Sequence, residues 1–190
     1  MGSVGAEAAR PTPGSPTARP RQPLAVIAAV AVAVVALDQL TKWWALEALT
    51  DPVRTIDIVG SLRLRVIENT GTAFSLTSDS GPWVSVVALV VVGVLLRSGR
   101  DQRSPWVLAS YGLVVGGTLG NLADRLFRAG DGGFLSGPVI DMVDLQWFPV
   151  FNLADSALTV GIVLLVVAGL FTDALDDRPR AAPDGSGGGA

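Results

Sequence analysis

The chain has 190 residues, of which 49% are hydrophobic and 16% are charged, a balance typical of a single-domain membrane protein rather than a soluble one. It contains no cysteine and no histidine, which excludes disulfides, thiolate metal sites, a cysteine nucleophile and a histidine base or metal ligand, so hydrolytic chemistry must use carboxylates, lysine or hydroxyl groups. The net charge of −3, with no basic stripe along the chain, argues against a nucleic-acid partner.

The N-terminal segment, residues 1–23, is rich in Pro, Ala and Gly and carries three arginines, which predicts a disordered, positively charged tail. Residues 24–37 are apolar, and the pattern continues to Leu46 through Trp43 and Trp44. Its first part alone also fits the core of a signal peptide. We favour a retained membrane helix, because the tryptophans are typical interface anchors and because further spans follow.

The largest segment outside the apolar runs, residues 50–80, contains a predicted β-hairpin. Ile56–Val59 and Leu62–Ile67 alternate apolar and polar residues, as half-buried strands do. Gly60 and Ser61 separate the two runs and supply the turn.

Three more membrane spans are predicted downstream, at residues 83–96, 106–127 and 153–171. The first of them is short for a hydrocarbon layer of ~30 Å, and we expect it to begin nearer Ser80. Ser104 and Pro105 are an N-cap followed by proline at the first helical position, which marks the start of the next span.

Three features of the second half of the chain complete its predicted organisation. Gly112, Gly116 and Gly120 repeat every four residues, so a neighbouring helix can approach closely. Residues 134–145 are amphipathic, which predicts a helix at the membrane interface. Residues 173–190 end in a Gly/Ser-rich run and predict a second disordered tail.

The arginines set the predicted orientation in the membrane. They crowd the N-terminal tail, the link between the second and third spans, and the segment after the fourth span. By the positive-inside rule, both termini and that link are cytoplasmic. The membrane domain, residues 24–172, then has cytoplasmic tails at 1–23 and 173–190, and the hairpin and residues 130–150 lie outside.

Two carboxylates stand on the outer side of this arrangement. Asn152 is a good helix N-cap, and Asp155 follows three residues later, where its carboxylate can reach back to the first turn. Asp141 lies fourteen residues before Asp155. A carboxylate at the mouth of a membrane helix is costly unless it is paired, hydrated or functional, so we interpret Asp141 and Asp155 as a catalytic pair.

Other polar residues gather at the same surface: Asp38 and Lys42 on one face of the first span, Asn121, Asp124, Arg125 and Arg128 on one face of the third, and Asp144 and Asn152 near the fourth. Each has a structural alternative. Asp38 with Lys42 fits an ion pair, and Asp124 with Arg125 fits a helix-end cluster. The asparagines fit caps or interhelical hydrogen bonds, and Asp144 fits the hydrated side of the interfacial helix.

Five motifs follow one another at membrane-helix spacing: Asp38-Gln-Leu-Thr-Lys42, Asn69-Thr-Gly-Thr-Ala-Phe74, Gly116-Gly-Thr-Leu-Gly-Asn-Leu-Ala-Asp-Arg125, Val139-Ile-Asp-Met-Val-Asp144 and Phe151-Asn-Leu-Ala-Asp155. In this order they closely resemble the lipoprotein signal peptidases (signal peptidase II) of bacteria. The resemblance covers residues 24–171, which is everything but the tails. Two departures are visible: Glu68 stands where many members have a basic residue, and the Asp141–Asp155 connection is shorter than in several relatives.

The resemblance implies an all-α, four-helix enzyme of the bacterial inner membrane with a small extracytoplasmic β-cradle, an aspartic endopeptidase that uses no metal or organic cofactor. Its substrate would be a prolipoprotein, cut just before the cysteine that carries diacylglycerol; membrane lipids would be its other partners, and we expect a monomer. The implied catalytic dyad is Asp141 and Asp155. The residues implied to line the site are Asn69, Gly71, Asn121, Arg125 and Asn152. Those implied to support activity or stability are Asp38, Lys42 and Asp124.

Two other classes of protein also carry ionisable residues in membrane helices. A small four-span transporter or ion-coupled carrier predicts carboxylates near the bilayer midplane, whereas the acids here lie at helix ends. A structural membrane subunit predicts that the polar residues serve packing, without turnover.

Overall fold

The structure of the chain, a computed structural model, describes residues 23–70, 80–128 and 134–176. The elements in these ranges are α1 (Pro23–Leu49), β1 (Ile56–Val59), β2 (Leu62–Asn69), α2 (Ser80–Gly99), α3 (Pro105–Phe127), β3 (Val139–Asp144) and α4 (Leu153–Asp176). α4 continues beyond residue 173, where we predicted the tail to begin. Residues 1–22 and 177–190, which make up most of the predicted tails, and Gly71 lie outside the described residues.

Three helices of the described chain are long and apolar enough to cross a membrane: Pro23–Leu49, Pro105–Phe127 and Leu153–Leu170. They correspond to the first, third and fourth predicted spans. The second predicted span lies in α2, whose apolar part, Trp83–Gly99, is shorter. Large apolar side chains are exposed along these helices, as in Val32 of α1 and Val166 of α4, which suits a lipid environment.

α3 is the central helix and packs against both α1 and α4, because glycines allow close approach on both sides. A Cβ atom at Gly116 would lie 2.7 Å from Val34 Cβ of α1, well inside the ~3.5 Å that carbon atoms need. On the other side, a Cβ atom at Gly161 of α4 would lie 2.7 Å from Val114 Cγ2 of α3. The predicted role of the glycine repeat in helix packing is confirmed.

The start of α3 is confirmed in position but not in its capping chemistry. Ser104 holds the N-cap position and Pro105 the first turn, yet the Ser104 side chain makes no capping hydrogen bond. The side-chain oxygen of Gln102 instead accepts the backbone N–H groups of Arg103, at 2.7 Å, and Ser104, at 2.9 Å.

The strands form one antiparallel sheet in the order β1-β2-β3. The predicted hairpin of β1 and β2 is confirmed, with Ile56 opposite Leu64. Gly60 adopts a φ of 57° at the turn, a conformation that glycine reaches without the steric cost of a Cβ atom.

The predicted interfacial helix at residues 134–145 is wrong, although the fold is mostly helical with a small sheet, as expected. β3 occupies half of this segment and pairs with β2, with Asn69 opposite Val139. Val139 and Ile140 are β-branched, which favours a strand. Our prediction considered only the periodicity of the segment itself, whereas pairing with a distant strand decides its conformation.

The sheet docks on the end of α1 through an apolar cluster of Ala45, Leu49, Ile140 and Met142. A polar contact to α3 adds to it, since the Ile140 N–H donates to Asp124 Oδ2 at 3.2 Å. Side chains alternate along a strand, so Asp141, between the two β3 members of the cluster, points to the opposite face. The docking therefore presents the Asp141 carboxylate to the cavity described next.

Candidate active site

The first turn of α4 forms the predicted reciprocal cap. The backbone N–H of Asp155 donates to Asn152 Oδ1 at 2.9 Å, and the backbone N–H of Asn152 donates to Asp155 Oδ2 at 3.2 Å. Two helix-terminal donors are satisfied in this way. The arrangement also fixes the Asp155 carboxylate and the Asn152 amide relative to each other.

Asp141 lies in β3 with only 2% of its surface exposed. Its Oδ2 accepts a hydrogen bond from Asn69 Nδ2 of β2 at 2.9 Å, and its Oδ1 accepts one from Asn152 Nδ2 at 2.7 Å. Burial raises the pKa of Asp141 to about 6 because it disfavours the charged form. The negative charge of Asp155 also raises this pKa, and the two amide donors oppose the rise.

A chain of two asparagines joins the acids. Asn121 Nδ2 donates to Asp155 Oδ1 at 2.7 Å, while its Oδ1 accepts Asn152 Nδ2 at 3.0 Å. Because Asn152 also donates to Asp141, both carboxylates belong to one hydrogen-bond network. Asn152 is fully buried and lies behind the acids as a support.

Asp141 and Asp155 open into one cavity of about 790 Å³. Its other lining residues come mainly from β2, α2, α3, α4 and the segment before α4: Ile67, Glu68, Asn69, Val84, Ser85, Ala88, Thr118, Asn121, Leu122, Arg125, Val139, Phe148, Pro149, Val150, Phe151, Leu158 and Thr159. Polar groups cluster around the acids, and apolar residues of α2 and α4 line the remainder. Such a cavity suits a ligand that is polar at one end and apolar along its length.

Arg125 supplies a positive charge to this cavity. Its guanidinium makes no ion pair or hydrogen bond with another residue of the described ranges, although its charge interacts with Asp155 and Asp141. Its donors are therefore available to a ligand in the cavity.

Asp38, Lys42 and Asp124 form a buried ion cluster beside the network. Lys42 is fully buried, and its Nζ lies 2.8 Å from Asp38 Oδ2, 2.7 Å from Asp124 Oδ2 and 3.1 Å from Asn121 Oδ1. Asp38 also accepts the backbone N–H of Ala154 at 3.0 Å. The cluster thus joins α1, α3 and the first turn of α4, and Lys42 links it to Asn121.

Sequence reasoning missed the surroundings of Asp144. It is 2% exposed rather than on a hydrated helix face, and it accepts hydrogen bonds from Arg63 Nε at 2.8 Å and Arg65 Nε at 2.5 Å. The Arg63 hydrogen bond is the main cause that lowers the pKa of Asp144 to about 2. Arg63 and Arg65 in the predicted second strand were a usable signal, because a third predicted strand through Asp144 would have placed this acid opposite them.

In residues 23–70, 80–128 and 134–176, no group of three or more His, Cys, Asp or Glu side chains is arranged to hold a metal ion. The hydrogen bonds that the two acids accept in these ranges come from amide N–H groups of Asn69, Asn121 and Asn152.

Comparison with known proteins identifies the family. A family model described as signal peptidase (SPase) II matches residues 30–171, most of the chain. The chain belongs to the signal peptidase II family. The segment matched by the signal peptidase II model includes Asp141, Asp155 and the whole asparagine network.

Individual relatives in this signal peptidase II family extend the match. The chain is 44% identical to the lipoprotein signal peptidase of Rhodococcus jostii (strain RHA1), over 73% of this chain and 69% of the relative. It is 37% identical to that of Mycobacterium avium (strain 104), over 83% of this chain and 85% of the relative. For Mycobacterium tuberculosis (strain ATCC 25618 / H37Rv), the identity is 36% over 90% of this chain and 85% of the relative.

Solved structures show that the fold of this signal peptidase II chain is shared. A bacterial membrane enzyme determined by the in meso method at 2.3 Å resolution aligns with a TM-score of 0.66 at 23% identity, over 84% of this chain and 95% of that one. A second, at 1.9 Å resolution, aligns with a TM-score of 0.64 at 24% identity, over 77% and 94%.

Proposed function

We propose that this chain is an aspartic endopeptidase that removes the signal peptide from diacylglyceryl-modified prolipoproteins, cutting just before the lipidated cysteine. Membership of the signal peptidase II family makes it a membrane protease that processes lipoproteins. One observation supports the aspartic chemistry above all: Asp141 and Asp155 share one cavity and one asparagine network.

In the proposed mechanism, one acid carries a proton and the other is ionised. Two carboxylates in one site do not both ionise cheaply, and they titrate as a pair. Asp141, whose pKa is raised to about 6, is the acid that polarises the scissile carbonyl and then protonates the leaving amine. Asp155, in the first turn of α4, is the remaining carboxylate of the pair and is assigned as the base. It takes a proton from the attacking water.

The other predicted site residues have distinct proposed roles. Asn69 and Asn152 hold Asp141, and Asn121 holds Asp155. Arg125, which has no ion-pair partner in the described chain, orients a substrate carbonyl or carboxylate in the cavity. Gly71 follows Asn69 in a segment outside the described residues, and its role in the site stays a prediction.

The proposed membrane arrangement has four spans, with α2 as the second. Its exposed apolar residues, among them Trp83 and Val90, suit lipid. Both tails, residues 1–23 and 173–190, are cytoplasmic by the positive-inside rule, so the sheet is an extracytoplasmic cradle and the site faces the outer leaflet. We propose a monomer in contact with membrane lipids, which lets an acyl-anchored substrate reach the cavity laterally.

The transporter alternative lacks support, because the matching family and relatives are peptidases and neither acid sits mid-span. Asp155 is the third residue of α4, and Asp141 belongs to a strand. A purely structural subunit predicts that cells lacking the protein process prolipoprotein normally. We expect unprocessed prolipoprotein to accumulate in such cells and to disappear on complementation.

The decisive experiment is cleavage of a synthetic diacylglyceryl-modified prolipoprotein by the purified chain in detergent. Asp141→Asn and Asp155→Asn should each lower kcat by at least about 10²-fold, since each removes one partner of an acid–base pair. Asp57→Asn, in the exposed strand β1, is the matched control and should cleave normally. Circular dichroism checks that all variants are folded; near wild-type cleavage by either folded active-site variant would refute the dyad.

A further inference from the structure

The end of β3 is tied to β2 by a buried carboxylate that the proposed reaction does not use. Asp144 Oδ2 accepts hydrogen bonds from both Arg63 Nε and Arg65 Nε. The pairing of β2 and β3 shifts between Leu64 and Ile67, and such bulges redirect side chains. Arg63 lies opposite Asp144. Arg65, two residues further along β2, points to the same face, so both arginines reach the same oxygen.

The other oxygen of Asp144 turns the chain. Asp144 Oδ1 accepts the backbone N–H of Gln146 at 2.7 Å, and Gln146 has a φ of 67°, in the left-handed region that non-glycine residues seldom adopt. The Gln146 side chain donates to the Ser61 carbonyl at the β1–β2 turn, at 3.0 Å. Both oxygens of Asp144 are therefore used to fix the path of the segment that leaves β3.

That segment returns to β3 just before the catalytic network. Phe151 N–H donates to the Val143 carbonyl at 3.1 Å, and Val143 N–H donates to the Phe151 carbonyl at 2.8 Å. The next residue is Asn152, whose Nδ2 donates to Asp141 Oδ1 at 2.7 Å. These hydrogen bonds close the loop between residues 144 and 151, and Asp141 and its amide donor Asn152 lie on either side of the closure.

We propose that Asp144 is a positioning residue that closes this loop on β2 and thereby places the Asn152 amide on Asp141. The inference rests on the proposed function. Asp144 acts on the position of β3 relative to the start of α4, not on the helix bundle. α4 is held in the bundle separately, because Asp38 accepts the Ala154 N–H and Gly161 packs on α3. Arg63 and Arg65 are about one third exposed, so water can solvate them if the carboxylate is removed.

The test is a mutant cycle on the purified full chain with the lipidated prolipoprotein as substrate. Asp144→Ala should lower kcat about 10-fold or more, since it disturbs the arrangement of the acids. KM should rise by a smaller factor, because the same loop lines the cavity through Phe148 and Phe151. Arg54→Gln, which removes an exposed arginine from the segment before β1, should leave both constants unchanged. In an Asn152→Ala background, Asp144→Ala should cost less than about twofold, because residues that act through one contact are not additive.

A second pair of variants leaves Asp144 and both arginines in place, in case Asp144→Ala does not fold. Gln146 is exposed, and Gln146→Gly keeps the N–H donor and permits the positive φ while it removes the side-chain hydrogen bond to the Ser61 carbonyl, so kcat should fall much less than in Asp144→Ala. Gln146→Pro removes the donor and fixes φ near −65°, and it should lower kcat as Asp144→Ala does.

Three results overturn the inference: unchanged kcat in folded Asp144→Ala, equal kcat in Gln146→Pro and Gln146→Gly, or full additivity with Asn152→Ala. Failure of the proposed function looks different, because the wild-type chain would then not cleave the lipidated substrate at all.

Discussion

At the scale of single residues, two acids three positions apart on β3 have opposite electrostatic surroundings. Asp141 is buried against neutral amides and a second carboxylate, and its pKa rises to about 6. Asp144 is hydrogen-bonded by two guanidinium groups, and its pKa falls to about 2. Of these two acids, Asp141 is therefore the one that keeps a proton up to about pH 6, as suits a general acid.

This difference predicts a pH dependence of stability. The pKa of Asp141 in the folded chain is raised, so its protonated form contributes stability that is present below pH 3.8 and is lost as pH rises through about 6. A rise from 3.8 to about 6 corresponds to about 3 kcal/mol. Between pH 4 and pH 6.5, the Tm of the wild type in detergent should fall relative to that of Asp141→Asn. Parallel Tm curves for the two proteins would contradict the prediction.

At the scale of elements, the packing of α3 depends on positions without a Cβ atom. Gly116 faces α1, and at Gly117 a Cβ atom would lie 3.0 Å from the backbone nitrogen of Leu158 in α4. The backbones approach closely enough for Lys42 of α1 to reach both Asp124 and Asn121 of α3. A change in the distance between α1 and α3 would consequently also displace the polar contacts of Lys42.

Gly116→Ala should separate α1 from α3. The new Cβ atom would lie 2.7 Å from Val34 Cβ and 2.9 Å from the Ala31 carbonyl oxygen, and overpacking of this kind costs about 1–3 kcal/mol. Gly93→Ala in α2 is the matched control, because its Cβ atom would meet nothing within 4 Å. Thermal unfolding in detergent should show a lower Tm for Gly116→Ala only. An unchanged Tm for both variants would contradict the prediction, because α1 and α3 would then accommodate the new methyl group without a loss of stability.

At the scale of the whole molecule, the features that were predicted correctly are those that depend on short-range sequence patterns. The cap formed by Asn152 and Asp155, the β1–β2 hairpin and the glycine contacts of α3 each depend on short-range patterns, and each was predicted. The pairing of β3 with β2 was not, since it joins residues far apart in the chain. The Arg63–Asp144 contact, across a separation of 81 residues, follows from that pairing and was missed with it.

The two donors that hold Asp141 come from different parts of the fold: Asn69 from the sheet and Asn152 from the first turn of α4. A newly synthesised chain whose helices have inserted, but whose strands have not yet paired, therefore possesses Asp155 without its partner. Under the proposed mechanism such an intermediate cannot hydrolyse peptide bonds. Proteolytic competence then requires strand pairing as well as helix insertion.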